Sequence, residues 1–447
     1  MIEYYLTLKP HKYLSLTPLK GDLNSHQSNV LERNTTSTYR SWGDLMPSKV
    51  MLNFYYFCIL EEETMNIYLD NAATTYPKPP SVYSAITNYM LNIGTNPGRG
   101  ASSSTLQGNR SIYKCRELIS DFFKFDKPEN VIFTQNITTS LNTLIKTSVK
   151  QNWHVITTSM EHNSVLRPLY SLKKANIIEL DVISCSSDGI IDLDEFKSKI
   201  KSNTKLVIMS HASNVIGSIQ PLELVGQICK EHNIYFIIDS AQTAGILSLD
   251  FYKLNCSALA FTGHKSLLGP QGIGGFLISD EFNNECTTFI EGGTGSLSDS
   301  IYQPDFLPDK FESGTLNAPA IAGLYEGIKY IIDEDLSSIK EKEDFLCSHF
   351  LEKLLQMNSV NLYGLKSAKN RTSTISLNIK NISNAEVGFE LDSQYGIMTR
   401  TGLHCAPLAH KTIGSFPDGA LRFSIGPFND LKDIDYTISS LNKIIRR

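Results

Sequence analysis

From Asn66 onward the chain alternates between two apolar patterns. Unbroken apolar runs occur in "NVIFTQN" (130–136), "HVITTSMEH" (154–162), "KLVIMSHAS" (205–213), "IYFIIDSAQ" (234–242) and "ALAFTGHK" (258–265). Runs of this length without polar alternation predict strands buried on both faces, as in a largely parallel sheet covered by helices. Between them lie segments of helical spacing, such as "LELVGQICKEHN" (222–233). After Asn317 a long helical pattern runs from Ala318 to Met357, followed by "TSTISLNI", "AEVGFELDSQYG", "ALRFSIGPFN" and an amphipathic helix over 431–447. That tail predicts a smaller α+β domain. The expected division is a large domain over 79–320 and a small one made of 66–78 and 321–447. No internal repeat or low-complexity tract interrupts it.

Residues 1–65 lack sustained periodicity, and the expectation is an extension that is disordered or not translated at all. Its longest apolar run, Val50–Leu60, is too short to span a bilayer and ends in three glutamates. No basic region, apolar stretch and small-residue cleavage site appear in the order of a secretory signal. The net charge of −5 and a pI near 6.1 offer no general attraction to nucleic acid or an anionic membrane. Eight cysteines, with no C-x-x-C pair, argue against a disulfide framework and for a reducing, cytoplasmic setting.

In an open α/β sheet, ligands gather at the carboxyl ends of the strands. Here those ends carry Glu161 and His162, Asp239 with Gln242 close behind, and Thr262 followed by His264 and Lys265. The run 130–140 passes from a strand into a hydroxyl-rich helix start, a natural phosphate cradle. Singly, each has an ordinary explanation: an Asp at a strand end caps helices, and a lone Lys is usually a solvated charge. Jointly they supply an acid for a pyridinium nitrogen, an amine for a Schiff base, a ring for stacking and a helix N-terminus for phosphate. Those are the parts a pyridoxal phosphate enzyme needs. Cys405, in "TRTGLHCAPLAH" (399–410), lies in a stretch of no clear period beside His404. It reads as a nucleophile, a structural cysteine, or a metal ligand with His404 and His410.

The motifs "YLDNAATT", "EHNSV", "SHASNVIGSIQP", "IIDSAQTAG", "FTGHKSLLGPQGIGG", "FESGTLN", "RTGLHCAP" and "LRFSIGPFN" occur in this order between Tyr68 and Asn429. Together they closely resemble the cysteine desulfurase/selenocysteine lyase group of class V aminotransferase-fold enzymes. The resemblance implies an α/β fold of the aspartate aminotransferase type. Its large domain has a mostly parallel seven-stranded sheet, its small domain is α+β, and the homodimer has active sites near the interface. It also implies that Lys265 forms the Schiff base with pyridoxal 5'-phosphate and moves the substrate's Cα proton. Asp239 would hold the pyridine nitrogen protonated, Gln242 the phenolic oxygen, and His162 would stack on the ring. Ile137, Thr138, Thr262 and His264 would hold the phosphate, with Thr315 reaching the partner subunit's phosphate. Asn214 would stand near cofactor and substrate, and Arg422 would grip the substrate carboxylate as a bidentate pair. Cys405 would attack the sulfur of L-cysteine and carry a persulfide to an acceptor protein; L-selenocysteine is the alternative substrate. A class V aminotransferase without need of Cys405, and a silent scaffold of the same fold, are more distant readings. Two positions depart from the family: Ser102 or a neighbour stands where a histidine often follows the first glycine-rich stretch, and Leu403 replaces the first of two histidines before the cysteine.

Overall fold

The computed structural model describes residues 66–98, 100 and 102–447. The extension expected over 1–65 therefore lies outside the described residues. Eight strands occupy the first two thirds of the chain: β1 (Ile67–Tyr68), β2 (Val131–Thr134), β3 (Trp153–Thr158), β4 (Ile178–Ile183), β5 (Thr204–Ser210), β6 (Tyr235–Asp239), β7 (Ala258–Thr262) and β8 (Gly274–Ile278). All but β1 join one seven-stranded sheet in the order β2-β8-β7-β6-β5-β3-β4. It is parallel except at β8, which runs antiparallel to both β2 and β7.

Both faces of this sheet are covered, which is why its strands read as continuous apolar runs. Within β5, Val207 and Met209 pack into one core and Leu206 and Ile208 into the other. Phe236 and Ile238 of β6 join the first core and Ile237 the second. Each fully buried side chain of this size contributes roughly 1.5–3 kcal/mol. Helices follow the strands that carry the site: Ile137–Ser148 after β2, Asn163–Lys174 after β3 and Leu222–Glu231 after β5. Their N-termini therefore gather at the carboxyl edge of the sheet.

Strand β8 was not legible as a strand, because its start belongs to the glycine-rich "GPQGIGG" that reads as flexible. Its glycines serve packing. A Cβ on Gly275 would come within 2.3 Å of the Ile132 carbonyl oxygen, and one on Gly274 within 3.0 Å of the Asn136 backbone. Only bare backbone lets β8 lie between β2 and β7 while the residue capping Ile137–Ser148 passes over it.

The remaining strands are β9 (Val360–Tyr363), β10 (Thr374–Ile379), β11 (Ile397–Met398), β12 (Arg400–Gly402) and β13 (Ala420–Ser424). Four form an antiparallel sheet in the order β12-β13-β10-β9, while β11 pairs in parallel with β1, Ile67 opposite Ile397. Ile67 and Leu69 are buried in a separate core with Leu346, Phe350, Ile375, Phe423 and Leu441. The helical pattern over 318–357 is two helices, Ala318–Asp333 and Leu336–Leu355. The first sends Ile321, Leu324 and Ile328 into the large sheet's core; the second sends Leu346, Phe350 and Leu354 into the small one. Asp335, at φ +62°, turns the chain between them and caps the second helix through the Ser338 N–H.

Candidate active site

The expected acid, amine and stacking ring converge at the carboxyl ends of β6, β7 and β3. Asp239 is the last residue of β6 and 5% exposed; its Oδ1 accepts the Ala241 N–H at 2.9 Å. Lys265 follows β7 in a turn closed by the Leu268 N–H to the Lys265 carbonyl, 2.9 Å. Burial lowers the Lys265 ammonium to about 8, with Asp239 opposing that fall and Arg422 and Arg400 adding to it. The same proximity acts on Asp239: burial raises its carboxyl, and the Ala241 amide, Lys265 and the Ser210 hydroxyl draw it back. His162 caps the helix Asn163–Lys174, its Nδ1 accepting the Ser164 N–H at 3.0 Å. Burial, then the charges of Lys265, Arg167, Arg400 and Arg422, push its pKa down to about 4. The imidazole is thus neutral at physiological pH, with the hydrogen on Nε2 and an uncharged face available for stacking.

Around this cluster, several buried polar atoms lack any partner within the chain. Among the described residues these include Thr262 Oγ1, His264 Nδ1 and Arg422 Nε. All three belong to residues expected to touch a cofactor or substrate, and leaving such groups buried and unpaired costs about 1–3 kcal/mol each. The His264 side chain is held neutral, its pKa lowered to about 4 by burial and the Lys265 and Lys78 charges. At the start of Ile137–Ser148, Asn136 caps the Thr139 N–H at 3.0 Å, leaving Ile137 and Thr138 at the first turn. Ile137 is buried and Thr138 exposed. A phosphorylated pyridine aldehyde fits this set: an acid, an amine, a neutral ring, orphaned donors and a helix N-terminus.

Gln242 is buried and donates to the Ala72 carbonyl at 3.1 Å, so the segment after β1 forms one wall of the site. Thr315 is exposed beside a cavity of about 460 Å³ with Gln135, Thr139 and Asn317. No hydrogen bond joins it to the Lys265 cluster.

Arg422, on β13, is 2% exposed. Its Nη2 donates to Asp70 Oδ1 at 2.5 Å and its Nη1 to the Asn214 carbonyl at 2.9 Å. Arg400 approaches the other Asp70 oxygen at 3.9 Å. The fork is therefore partly engaged within the chain, while its Nε–H is buried without a partner among the described residues.

Cys405 is exposed, whereas the other described cysteines are buried or half-buried, and all are free thiols. Its loop is tied on both sides. The Asn214 side chain donates to the His404 carbonyl at 2.7 Å, and the Asn163 N–H to the Cys405 carbonyl at 2.8 Å. His404 and Cys405 both have left-handed backbone, φ +48° and +56°, costing roughly 1–2 kcal/mol per residue. A buried chain offsets that strain: His404 Nδ1 faces His410 Nε2 at 3.1 Å, and His410 Nδ1 faces Ser415 Oγ at 2.6 Å. His404 Nε2 lies 3.4 Å from the Arg400 carbonyl, which can only accept, so Ser415, His410 and His404 each donate in that direction. No group of three or more His, Cys, Asp or Glu side chains among the described residues is arranged to hold a metal ion. Of the two departing positions, Ser102 caps the helix Ser103–Phe122 and Leu403 accepts the Ala406 N–H, closing the turn around Cys405.

The family model for aminotransferase class-V matches residues 67–437. This chain belongs to the class-V aminotransferase family. A relative from Borreliella burgdorferi, named probable cysteine desulfurase, is 33% identical over 391 residues, covering 85% of this chain and 92% of that protein. Another probable cysteine desulfurase, from Pyrococcus abyssi, is 32% identical and covers 85% and 94%. Among solved structures, the apo cysteine desulfurase of Thermococcus onnurineus NA1 superposes with a TM-score of 0.81 at 31% identity, over 85% of this chain and 94% of that one. The class-V fold accounts for the seven-stranded sheet and for the smaller sheet that brings Arg422 to it.

Three site residues carried no assigned role in the sequence reading. Asp70 stands in the quoted "YLDNAATT", but its contact with Arg422 spans 352 positions. Lys78 reaches the His264 carbonyl at 2.6 Å, and burial lowers it to about 7. Glu161, beside His162, is fully buried. Of these only Glu161 left a signal: an acid at the end of an apolar strand.

Proposed function

We propose that this chain is a pyridoxal 5'-phosphate-dependent cysteine desulfurase that converts L-cysteine to L-alanine and leaves a persulfide on Cys405. The observation that carries this reading is the exposed Cys405 thiol, on a loop whose backbone is held by Asn163, the neighbour of His162, and by Asn214, the partner of Arg422. The names of the relatives agree with it.

Lys265 would hold the cofactor covalently, with Asp239 at its ring nitrogen, Gln242 at its phenolic oxygen and His162 against its face. Thr262, His264 and the Ile137 and Thr138 amides would hold its phosphate, with Thr315 serving the neighbouring subunit's site in a homodimer. When bound, the cofactor supplies an electron sink for charge left on the substrate's Cα. Arg422, with its unpartnered Nε–H, and the Asn214 side chain receive the substrate carboxylate and fix its orientation. Lys265 Nζ, lowered to about 8, is the base that takes the Cα proton. The Cys405 thiolate then attacks the substrate sulfur: an S–S bond forms as the Cβ–S bond breaks. The bonding pair stays with the substrate carbon, which takes up a proton, and alanine leaves. The persulfide sulfur passes to an acceptor, which completes the turnover.

Parallel assays of alanine released from L-cysteine and L-selenocysteine, with mass analysis of the peptide bearing Cys405, test this reading. A 32-mass-unit adduct on that peptide during cysteine turnover is the expected result, on the order of one sulfur per chain. Alanine formed only from selenocysteine, with no adduct, would show a selenocysteine lyase instead. Arg422→Lys is expected to raise KM for cysteine about 10- to 100-fold with a smaller change in kcat, because lysine keeps the charge and loses the fork. Cofactor content should be unchanged. Steady-state kinetics at fixed cofactor saturation checks this, and an unaltered KM would remove Arg422 from the substrate site.

A further inference from the structure

Behind the Lys265–Asp239 pair, three adjacent strands end in polar groups set in a row. Glu161 lies just beyond β3, Ser210 ends β5, and Asp239 ends β6. Ser210 and Asp239 are register partners. Glu161 is 0% exposed, and no other residue so completely buried in this site is an acid. Its Oε2 accepts both the Ser210 N–H and the Ser210 hydroxyl at 2.8 Å, and its Oε1 accepts the Thr158 hydroxyl at 2.6 Å. That hydroxyl, donated to Glu161, is also a group that draws down the Asp239 carboxyl from the register-paired strand. A hydroxyl carries one hydrogen, so it serves one carboxyl at a time.

We propose that Glu161 is a positioning residue for Asp239, acting through the Ser210 hydroxyl to set how firmly Asp239 holds a proton on the cofactor's ring nitrogen. The proposal rests on the cofactor reading above. The titratable groups that face Glu161 are Asp239 from β6 and Cys185 from the segment after β4, while His162 follows it in the chain. No cation pairs with it among the described ion pairs. Burial outweighs its hydrogen bonds and raises its pKa to about 7, the charge of Asp239 adding to the rise. Ionised Glu161 keeps the Ser210 hydrogen and repels the Asp239 charge; both make Asp239 the stronger base. Neutral Glu161 removes the repulsion and releases the hydroxyl to Asp239, which then holds a ring proton less firmly. Glu161 thus matches the strength of the acid to the medium near neutral pH.

Glu161→Gln fixes the neutral form with nearly the same shape. In protein loaded with ¹⁵N-labelled pyridoxal 5'-phosphate, the ring-nitrogen chemical shift reports protonation directly. E161Q is expected to lower the pH at which that nitrogen loses its proton by about one unit. In a Ser210→Ala background the same substitution should have less than about half that effect, because the shared hydrogen is gone.

The cofactor-free protein gives an independent reading. A carboxyl whose folded pKa lies above its unfolded value stabilises the fold at low pH, and that contribution is lost as pH rises through about 7. The Tm of E161Q relative to the parent should therefore climb between pH 5 and pH 8. Parent protein that takes up no pyridoxal 5'-phosphate would overturn the cofactor reading and this proposal together. Normal uptake with a ring-nitrogen titration unmoved by E161Q would overturn the proposal alone. Should E161Q fail to fold, Ser210→Ala by itself must move the ring-nitrogen titration, and an unmoved titration there overturns the proposal equally.

Discussion

Replacing Cys405 with serine or alanine is expected to cut alanine production from L-cysteine by on the order of 10³-fold or more, the scale of loss when a covalent nucleophile is removed. Binding should survive, because the groups proposed to hold cofactor and substrate, Lys265, Asp239 and Arg422, do not touch the thiol. Cysteine should still perturb the visible spectrum of the loaded C405S protein, while no sulfur adduct accumulates on the peptide containing position 405. Serine is the conservative choice, because it suits the left-handed backbone at φ +56° no worse than cysteine does. A β-branched residue would confound the test by straining the loop. Selenocysteine, with its weaker carbon–selenium bond, is the control substrate: activity retained on it with C405S marks a lyase. Undiminished alanine release from cysteine would remove Cys405 from the reaction.

Lys265→Ala is expected to abolish covalent attachment of the cofactor and to lower turnover by at least ~10²–10⁴-fold, the range for losing a positioned acid–base group. Borohydride reduction followed by peptide mapping checks the attachment; a cofactor-bearing lysine found elsewhere would show the assignment to be wrong. A pH test goes with it. Because burial lowers Lys265 to about 8, its amine is mostly charged at pH 7 and mostly neutral at pH 9. Uptake of pyridoxal 5'-phosphate by the cofactor-free protein should therefore accelerate across that interval. A rate still climbing past pH 10 would indicate an ordinary, unshifted lysine.

How much of this was legible beforehand follows from where the information lies along the chain. Buried parallel strands announce themselves as apolar runs, and the polar residue ending each run is, by construction, at the sheet's carboxyl edge. Asp239 and Thr262 are placed at that edge this way, with His162 a few residues beyond β3, and the order of the motifs suggested the rest. Strand β8 escaped because its glycines are chosen for backbone approach, which looks like flexibility in a string of letters. The break at Asp335 escaped because both helices keep an apolar face and only the destinations of those faces differ. Asp70, and the task of Glu161, escaped for a common reason. Their partners, Arg422 and Ser210, lie far away in sequence, and an acid reveals its task only through the group it faces. His410, weighed as a metal ligand, instead supports the Cys405 loop through His404, a relation that spacing alone does not distinguish.

The pairing of β1 with β11 sets an order on how this molecule is made. Ile67 meets Ile397 across 330 residues, while the large sheet is complete by β8 and its covering helix by Asp333. At a synthesis rate of roughly 5–20 residues per second, the first-made strand of the smaller core waits many seconds for its partner. Ile67 and Leu69 have no apolar shelter until the last hundred or so residues emerge, and long-range pairing of this kind closes slowly. The nascent chain thus passes through a stage in which the carboxyl edge of the large sheet is built but Arg422 has yet to leave the ribosome. Chaperone occupancy on a stalled chain should be greatest over the segment that begins at Ile67.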